Sequence, residues 1–168
     1  MAALQWDAAL WLQRPWTLWT AGFAHLSGGH LLANLLALAA LAVLGWSLRV
    51  GKAAAVALLV AWPLGTLALL AWPEVKQYSG LSGLIHAAIA VLWADTALHR
   101  KAYPLSFVVF AGVVLKLLTE HAWKTPIAFD PAWGFNVVYA SHLSGTLAGA
   151  VCGVAAAAWG LRGGAAAR

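Results

Sequence analysis

Charged residues are scarce in this sequence. Only 9% of its 168 residues are charged, whereas 63% are hydrophobic. Soluble domains carry about 25% charged residues, so this composition excludes a soluble globular domain and indicates a lipid bilayer as the solvent. Cysteine occurs once, at Cys152. A single cysteine excludes an internal disulfide, and we expect Cys152 to serve in packing.

Long apolar segments are what the sequence does contain. Five apolar windows have roughly the 20 residues that a bilayer-spanning helix requires. They are residues 30–48, 53–72, 80–98, 103–118 and 137–161. We therefore predict an all-α membrane protein, a polytopic helical bundle that forms one domain over residues 1–168. We expect no cleavable signal peptide, because the first residues have neither a basic region nor an unbroken apolar core. The sequence shows no internal repeat or low-complexity linker.

The residues before the first span predict a segment at the membrane surface. Tryptophans are frequent between residues 5 and 23, and Asp7, Arg14 and Pro15 interrupt them. The charges and the proline argue against a span, whereas tryptophan-rich amphipathic segments favour the headgroup zone. We expect residues 1–24 to lie in the outer interface.

The basic residues predict the topology. Three loops or ends that share one side of the membrane hold most of them, at Arg49, Lys52, Arg100, Lys101, Arg162 and Arg168. Arginine- and lysine-rich loops face the cytoplasm, so the first, third and fifth spans begin on the outer side. The net charge of +5 then reflects topology, and we expect contact with lipid and none with nucleic acid.

Polar side chains recur at the outer starts of these three spans. His30, Asn34, Ser82 and His142 each lie within one or two helical turns of such a start, at a shared depth of roughly 5–10 Å. Polar groups at that depth are costly unless they are paired or functional. We interpret Ser82 as a nucleophile and His142 as its general base. His30, Asn34 and the backbone N–H of Ser82 are candidate oxyanion donors, and an interhelical hydrogen bond is the alternative for His30 and Asn34.

Glycines follow His142 at helical spacing. Gly145, Gly149 and Gly153 form a ridge on one helix face, which permits close approach of a neighbouring helix. Gly83 is a small residue able to receive that ridge. Such an approach would allow a hydrogen bond of about 3 Å between the serine and the imidazole. Helix packing alone is the alternative interpretation.

Two further histidines have several possible roles. His86 follows Ser82 by four residues and thus shares its helix face. It could stack on His142, orient it, or be a satisfied polar group of the core. We expect His25 to brace the loop before the first span.

The remaining ionisable residues are expected to be structural. Lys116 and Glu120 predict a snorkelling ion pair at the outer end of the fourth span, with a role in substrate contact as the alternative. No acidic residue is expected at the depth of His142, so we predict a Ser-His dyad without a third member. Asp95 and His99, at the cytoplasmic end, are expected to be structural.

Together these residues resemble the rhomboid family of intramembrane serine proteases. The resemblance covers about residues 16–155 and rests on three motifs: His25-x4-His30-x3-Asn34, Gly80-Leu81-Ser82-Gly83 and His142-x2-Gly145-x3-Gly149. It implies Ser82 as nucleophile, His142 as base, and His30, Asn34 and the Ser82 amide as oxyanion donors. It also implies a rhomboid-like fold, transmembrane protein substrates, and neither metal nor cofactor. Residues expected to support the site are His25, His86, Gly80, Gly83, Gly145 and Gly149.

Within that family the chain is most similar to the rhombosortases. The segments that carry this resemblance are Gly-Leu-Ser-Gly-Leu-Ile-His, ending at His86, and Leu-Lys-Leu-Leu-Thr-Glu, ending at Glu120. The resemblance implies a bacterial inner-membrane enzyme that opens to the periplasm. Its substrates would be secreted proteins with a C-terminal Gly-Gly, apolar helix and basic tail.

Two departures from the family pattern are visible. Many rhomboids carry a tyrosine where His86 stands. The family core has six spans and we predict five. We expect the first helix to be encoded upstream, before Trp6, and the alternative is a five-span protein with its N-terminus on the outer side. Two other functions remain open: a catalytically inactive relative that binds membrane helices, and a haem-binding cytochrome with His30 and His142 as axial ligands.

Overall fold

The computed structural model describes residues 3–99 and 104–166. Its helices are α1 (Thr17–Thr20), α2 (Gly28–Ser47), α3 (Lys52–Leu67), α4 (Ser82–Leu98), α5 (Pro104–Glu120) and α6 (Tyr139–Ala166). Its strands are β1 (Trp6–Asp7), β2 (Gln77–Tyr78), β3 (Ala128–Asp130) and β4 (Phe135–Val137). Arg100, Lys101, Tyr103 and Arg168, on which predictions above depend, lie outside the described residues.

Helices α2 to α6 lie on the five predicted spans, and the prediction of an all-α membrane bundle is confirmed. Three helical segments are long and apolar enough to cross a bilayer: Gly28–Ser47, Lys52–Ala71 and Tyr139–Gly160. Helix α4 is apolar but shorter. It packs against α2, α3, α5 and α6, and 12 of its 17 residues are buried. It is therefore the central helix of the bundle.

The ends of several helices differ from the hydropathy windows. The second window ends in a 3-10 segment, Ala68–Ala71, and the fifth begins within β4, two residues before α6. Helix α5 continues past Leu118 through the polar Thr119 and Glu120. Hydropathy locates apolar residues, whereas a helix continues for as long as its backbone hydrogen bonds do. This difference places Glu120 inside a helix.

Helix α2 has the burial pattern of a lipid-facing helix. Of its 20 residues, the two buried ones are His30 and Asn34, whereas leucines such as Leu32 and Leu36 are exposed. A soluble helix would bury the leucines. Because lipid accommodates apolar side chains and not polar ones, the polar pair faces the protein interior.

Helices α4 and α6 pack with their backbones in contact. A Cβ atom on Gly145 would overlap the carbonyl oxygen of Gly83, and one on Gly149 would overlap that of Ala87. On the other side, a Cβ on Gly65 of α3 would lie 3.2 Å from the Cα of Gly145. The close approach predicted from the glycine ridge is confirmed, and it brings the starts of α4 and α6 together.

The N-terminal segment is attached to the bundle by a short strand pair. Strand β1 pairs antiparallel with β2, with Trp6 opposite Tyr78. The Trp6 ring is fully buried in a cluster that includes Leu69 and Val75. Trp16 and other large side chains of the segment remain exposed. The segment thus docks on the protein through one tryptophan and exposes others, as the headgroup zone favours.

Candidate active site

Ser82 is the first residue of α4, directly after a tight turn. Gly80 has φ +120°, in the left-handed region that favours glycine. Its N–H donates to the carbonyl of Ala21, at 2.9 Å, which ties the turn to the N-terminal segment. Because the first N–H groups of a helix have no intrahelical acceptor, the Ser82 N–H has no partner within α4.

The Tyr78 phenol holds this turn from both sides. Its hydroxyl donates to the Gly80 carbonyl, at 2.8 Å, and accepts from the Gly83 N–H, at 3.2 Å. Burial raises the pKa of Tyr78, while polar contacts with Ser141, Gly83 and Ser82 oppose that shift. The phenol therefore stays neutral and keeps its donor. Sequence reasoning missed Tyr78, and the available signal was an aromatic hydroxyl two residues before Gly80.

His142 lies opposite this turn, on the first turn of α6. Its buried ring stacks on His86, with centroids 4.3 Å apart and planes 11° from parallel. His86 Nδ1 lies 2.7 Å from the carbonyl oxygen of Ser82. Since a carbonyl only accepts, His86 donates its Nδ1–H there. Stacking on His142, one of the three roles considered for His86, is observed, and it links the start of α4 to His142.

Ser82 lies half-buried at the wall of a cavity of about 80 Å³, which His30 also lines. Tyr78, Phe135 and Val137 from β2 and β4 are among the other walls. Among the described residues, no hydrogen bond joins the Ser82 hydroxyl to His142. Catalytic hydrogen bonds are often long in a ligand-free site and shorten in the complex.

His25, His30 and Asn34 form a buried polar cluster beside the cavity. Asn34 Nδ2 lies 3.1 Å from His30 Nε2 and 3.2 Å from His25 Nε2. An amide nitrogen carries two hydrogens, so Asn34 donates to both rings and each ring keeps its proton on Nδ1. Burial lowers the pKa of His25, which agrees with a neutral acceptor. The predicted bracing of the loop by His25 therefore goes through Asn34.

Local structure fixes His30 at this position. The Ser27 hydroxyl accepts from the His30 N–H, at 3.2 Å, as the N-cap of α2. The hairpin of β3 and β4 brings Trp133 and Phe135 against the imidazole, with ring centroids 5.0 and 5.3 Å away. His30 is thus held from the helix side and from the hairpin side.

Glu120 ends α5 next to His142. Glu120 Oε2 lies 2.8 Å from His142 Nδ1, and Glu120 Oε1 lies 2.6 Å from Lys116 Nζ. The predicted Lys116–Glu120 ion pair is confirmed. The expectation that no acid lies at the depth of His142 is wrong. Helix α5 runs on to Glu120 and α6 begins only three residues before His142, so the two side chains reach the same level.

The described residues contain no group of three or more histidine, cysteine or acidic side chains arranged to hold a metal ion. His99 pairs with Asp95, Nδ1 to Oδ1, at 3.3 Å, and both lie at the opposite end of α4 from Ser82. Cys152 is half-buried against the apolar cluster that includes Val91.

Fold and site together define a helical membrane protein with a serine, histidines and a carboxylate gathered at one end of the bundle. A family model described as the Rhomboid domain matches residues 12–159. The chain belongs to the rhomboid family. Its members are in general serine proteases that act on transmembrane substrates, and inactive homologues exist. Comparisons with curated proteins and with solved structures return no match.

Proposed function

We propose that the protein is an intramembrane serine endopeptidase with Ser82 as nucleophile and His142 as general base. One observation carries the proposal: the His142 ring stacks on His86, which in turn donates to the carbonyl of Ser82. Through these contacts the imidazole and the start of α4 form one unit. Membership in a family of serine proteases adds support.

The reaction follows from the chemistry of these groups. His142 Nε2 accepts the hydroxyl proton as Ser82 Oγ bonds to the scissile carbonyl carbon, whose oxygen becomes negative. The tetrahedral intermediate then breaks its C–N bond, and the proton on Nε2 passes to the leaving amine. Water repeats the sequence on the acyl-enzyme and releases the carboxyl product, with the serine proton restored.

The oxyanion donors in this proposal are the Ser82 N–H and His30, and Asn34, expected above as a third donor, supports His30. The Ser82 N–H lies at the start of α4, where it has no acceptor within the helix, and His30 lines the same cavity as Ser82. Asn34 donates to both neighbouring imidazoles, so its contribution goes through the orientation of His30. An oxyanion donor stabilises the transition state more than the bound substrate.

The proposed substrates are membrane-anchored proteins of the rhombosortase type, with a Gly-Gly, an apolar helix and a basic tail at the C-terminus. The motifs that end at His86 and Glu120 support this substrate class. The proposed location is the bacterial inner membrane with the site facing the periplasm, and the basic residues Arg49 and Lys52 at the other end of the bundle support it.

A fluorophosphonate probe tests the nucleophile. We expect the wild-type protein to be labelled, and both Ser82→Ala and His142→Ala to lose labelling because the two residues act as a unit. Ser79→Ala is the matched control, since Ser79 lines the same cavity, and it should still be labelled. Labelling of Ser82→Ala at the wild-type rate would refute the assignment, and a folded wild-type protein that neither reacts nor cleaves would be an inactive homologue.

A single-span reporter with the Gly-Gly, apolar and basic signal tests the substrate class, against a matched reporter in which Leu-Leu replaces Gly-Gly. Cleavage of the first reporter alone is expected, and equal cleavage of both would contradict the assigned class. The haem alternative has no comparable support. The cavity beside His30 measures about 80 Å³, whereas cofactor sites span roughly 300–1,000 Å³.

A further inference from the structure

The Glu120 carboxylate is bonded to the proposed base. It lies 2.8 Å from His142 Nδ1, and the exposed fractions of the His142 and Glu120 side chains are 4% and 7%. An ionised carboxylate only accepts hydrogen bonds, so the proton between them belongs to Nδ1. Neutral His142 then has its lone pair on Nε2, the nitrogen that must be free in a general base.

Lys116 holds the other carboxylate oxygen. Its ammonium lies 2.6 Å from Glu120 Oε1, and half of its side chain is exposed. The two residues are one helical turn apart on α5, so the pair forms on a single helix face. With Oε1 in the ion pair and Oε2 on the imidazole, rotation of the carboxylate would separate it from both groups.

We propose that Glu120 is a positioning residue for the base, so that the reacting unit is Ser82–His142–Glu120. Its carboxylate holds His142 in the Nδ1–H tautomer and stabilises the imidazolium that forms when Nε2 takes the serine proton. This inference rests on the proposed function above. Because Glu120 is not among the residues that line the cavity at Ser82, its charge should affect kcat and leave KM nearly unchanged.

The substitution Glu120→Gln should do more than remove a charge. Lys116 can only donate, so the glutamine oxygen turns to the ammonium and its NH2 group faces His142 Nδ1. That nitrogen must then accept, which moves the ring proton to Nε2 and blocks the base. We expect kcat to fall about 10⁴-fold, the loss that follows replacement of a triad acid. Glu120→Asp, which keeps the charge, should retain more activity than Glu120→Gln.

A second substitution separates positioning from simple structural support. The double variant Lys116→Met/Glu120→Gln has no ammonium group that could bind the amide oxygen of the glutamine. The oxygen can then turn to His142 and restore the Nδ1–H tautomer. We expect the double variant to react faster than Glu120→Gln, although each substitution removes a contact. A purely structural role of Glu120 predicts that the double variant is no faster.

The experiment compares the full-length wild type, Glu120→Gln, Lys116→Met/Glu120→Gln and the control Lys116→Met, all purified in one detergent. The fluorophosphonate labelling rate and reporter kcat and KM measure activation of Ser82. NMR of the imidazole nitrogens, in protein with isotope-labelled histidine, reports the tautomer directly. The signals of His142 are the ones that disappear in the variant His142→Asn. We expect Nδ1–H in the wild type and Lys116→Met, Nε2–H in Glu120→Gln, and Nδ1–H again in the double variant.

The outcomes distinguish this inference from the proposed function. If the wild type is labelled and Glu120→Gln matches it in rate and tautomer, the positioning role is refuted and the protease assignment stands. If the wild type is neither labelled nor active but the tautomer still inverts in Glu120→Gln, the protease assignment fails and the positioning role stands. If Glu120→Gln does not fold, the double variant with wild-type tautomer and partial labelling supports the role, and an Nε2–H tautomer there refutes it.

Discussion

Replacing Gly149 with alanine tests the backbone contact between α4 and α6. The added Cβ would overlap the carbonyl oxygen of Ala87 and lie 2.7 Å from its Cα. Overpacking of this kind costs about 1–3 kcal/mol. Because both contacted atoms belong to the main chain of α4, no side chain can rotate away, and the cost should lie at the upper end. Alanine is more favourable than glycine in a helix by up to about 1 kcal/mol, which offsets part of this cost. The free energy of unfolding should therefore fall by about 2 kcal/mol.

Thermal unfolding in detergent measures this loss. For a chain of this size, 1 kcal/mol corresponds to roughly 2–4 °C in Tm, so Gly149→Ala should lower Tm by roughly 4–8 °C. The matched control is Gly112→Ala on α5, where an added Cβ has no atom within 4 Å. That variant should leave Tm unchanged or raise it, since only the helix preference acts. A Tm of Gly149→Ala at or above that of Gly112→Ala would refute the tight contact.

Three further predictions concern the turn and the N-terminal segment. Tyr78→Phe leaves the buried Gly80 carbonyl and Gly83 N–H without their partner. It should therefore lower the free energy of unfolding by about 1–3 kcal/mol, measured by chemical denaturation. It should also slow labelling of Ser82, measured by probe kinetics. Trp6→Ala should cost about 3–5 kcal/mol in the same denaturation assay, since the ring is fully buried, and a loss below about 1 kcal/mol would contradict docking of the segment. Burial lowers the pKa of His25 below its ordinary value of 6.5, so the unfolded chain binds more protons and Tm should fall as pH drops below about 6.5. His25→Asn should show a smaller fall in Tm between pH 8 and pH 5, and an equal slope would argue against a buried neutral imidazole.

Much of the bundle could be predicted because bilayer hydropathy is a strong local signal. The five helices occur where apolar windows of spanning length occur, and the contact of Gly145 with Gly83 was predictable from small-residue spacing. Stacking of His86 on His142 was among the predicted alternatives, since a shared helix face and depth bring such rings together. These features depend on periodicity within one segment.

The features that sequence reasoning missed depend on contacts between distant segments. Strands β1 and β2 have two residues each and pair across a separation of about 70 residues, as between Asp7 and Gln77, which no local pattern reveals. Glu120 has a predicted partner in Lys116, and that ion pair involves one carboxylate oxygen. No partner was predicted for its second oxygen, which contacts His142. A carboxylate has two oxygens that can each take a donor, and this capacity was the signal available in the sequence.

The order of the helices along the chain determines when the site becomes complete during synthesis. Ser82 and Glu120 lie on α4 and α5, whereas His142 lies on α6, which packs against both α3 and α4. A nascent chain that has inserted only through α5 therefore holds the serine and the carboxylate but no imidazole between them. In the proposed mechanism, the Ser82 hydroxyl of this intermediate lacks its general base, His142. If the proposed protease function holds, ribosome-bound intermediates should be inert toward neighbouring membrane proteins until α6 has inserted.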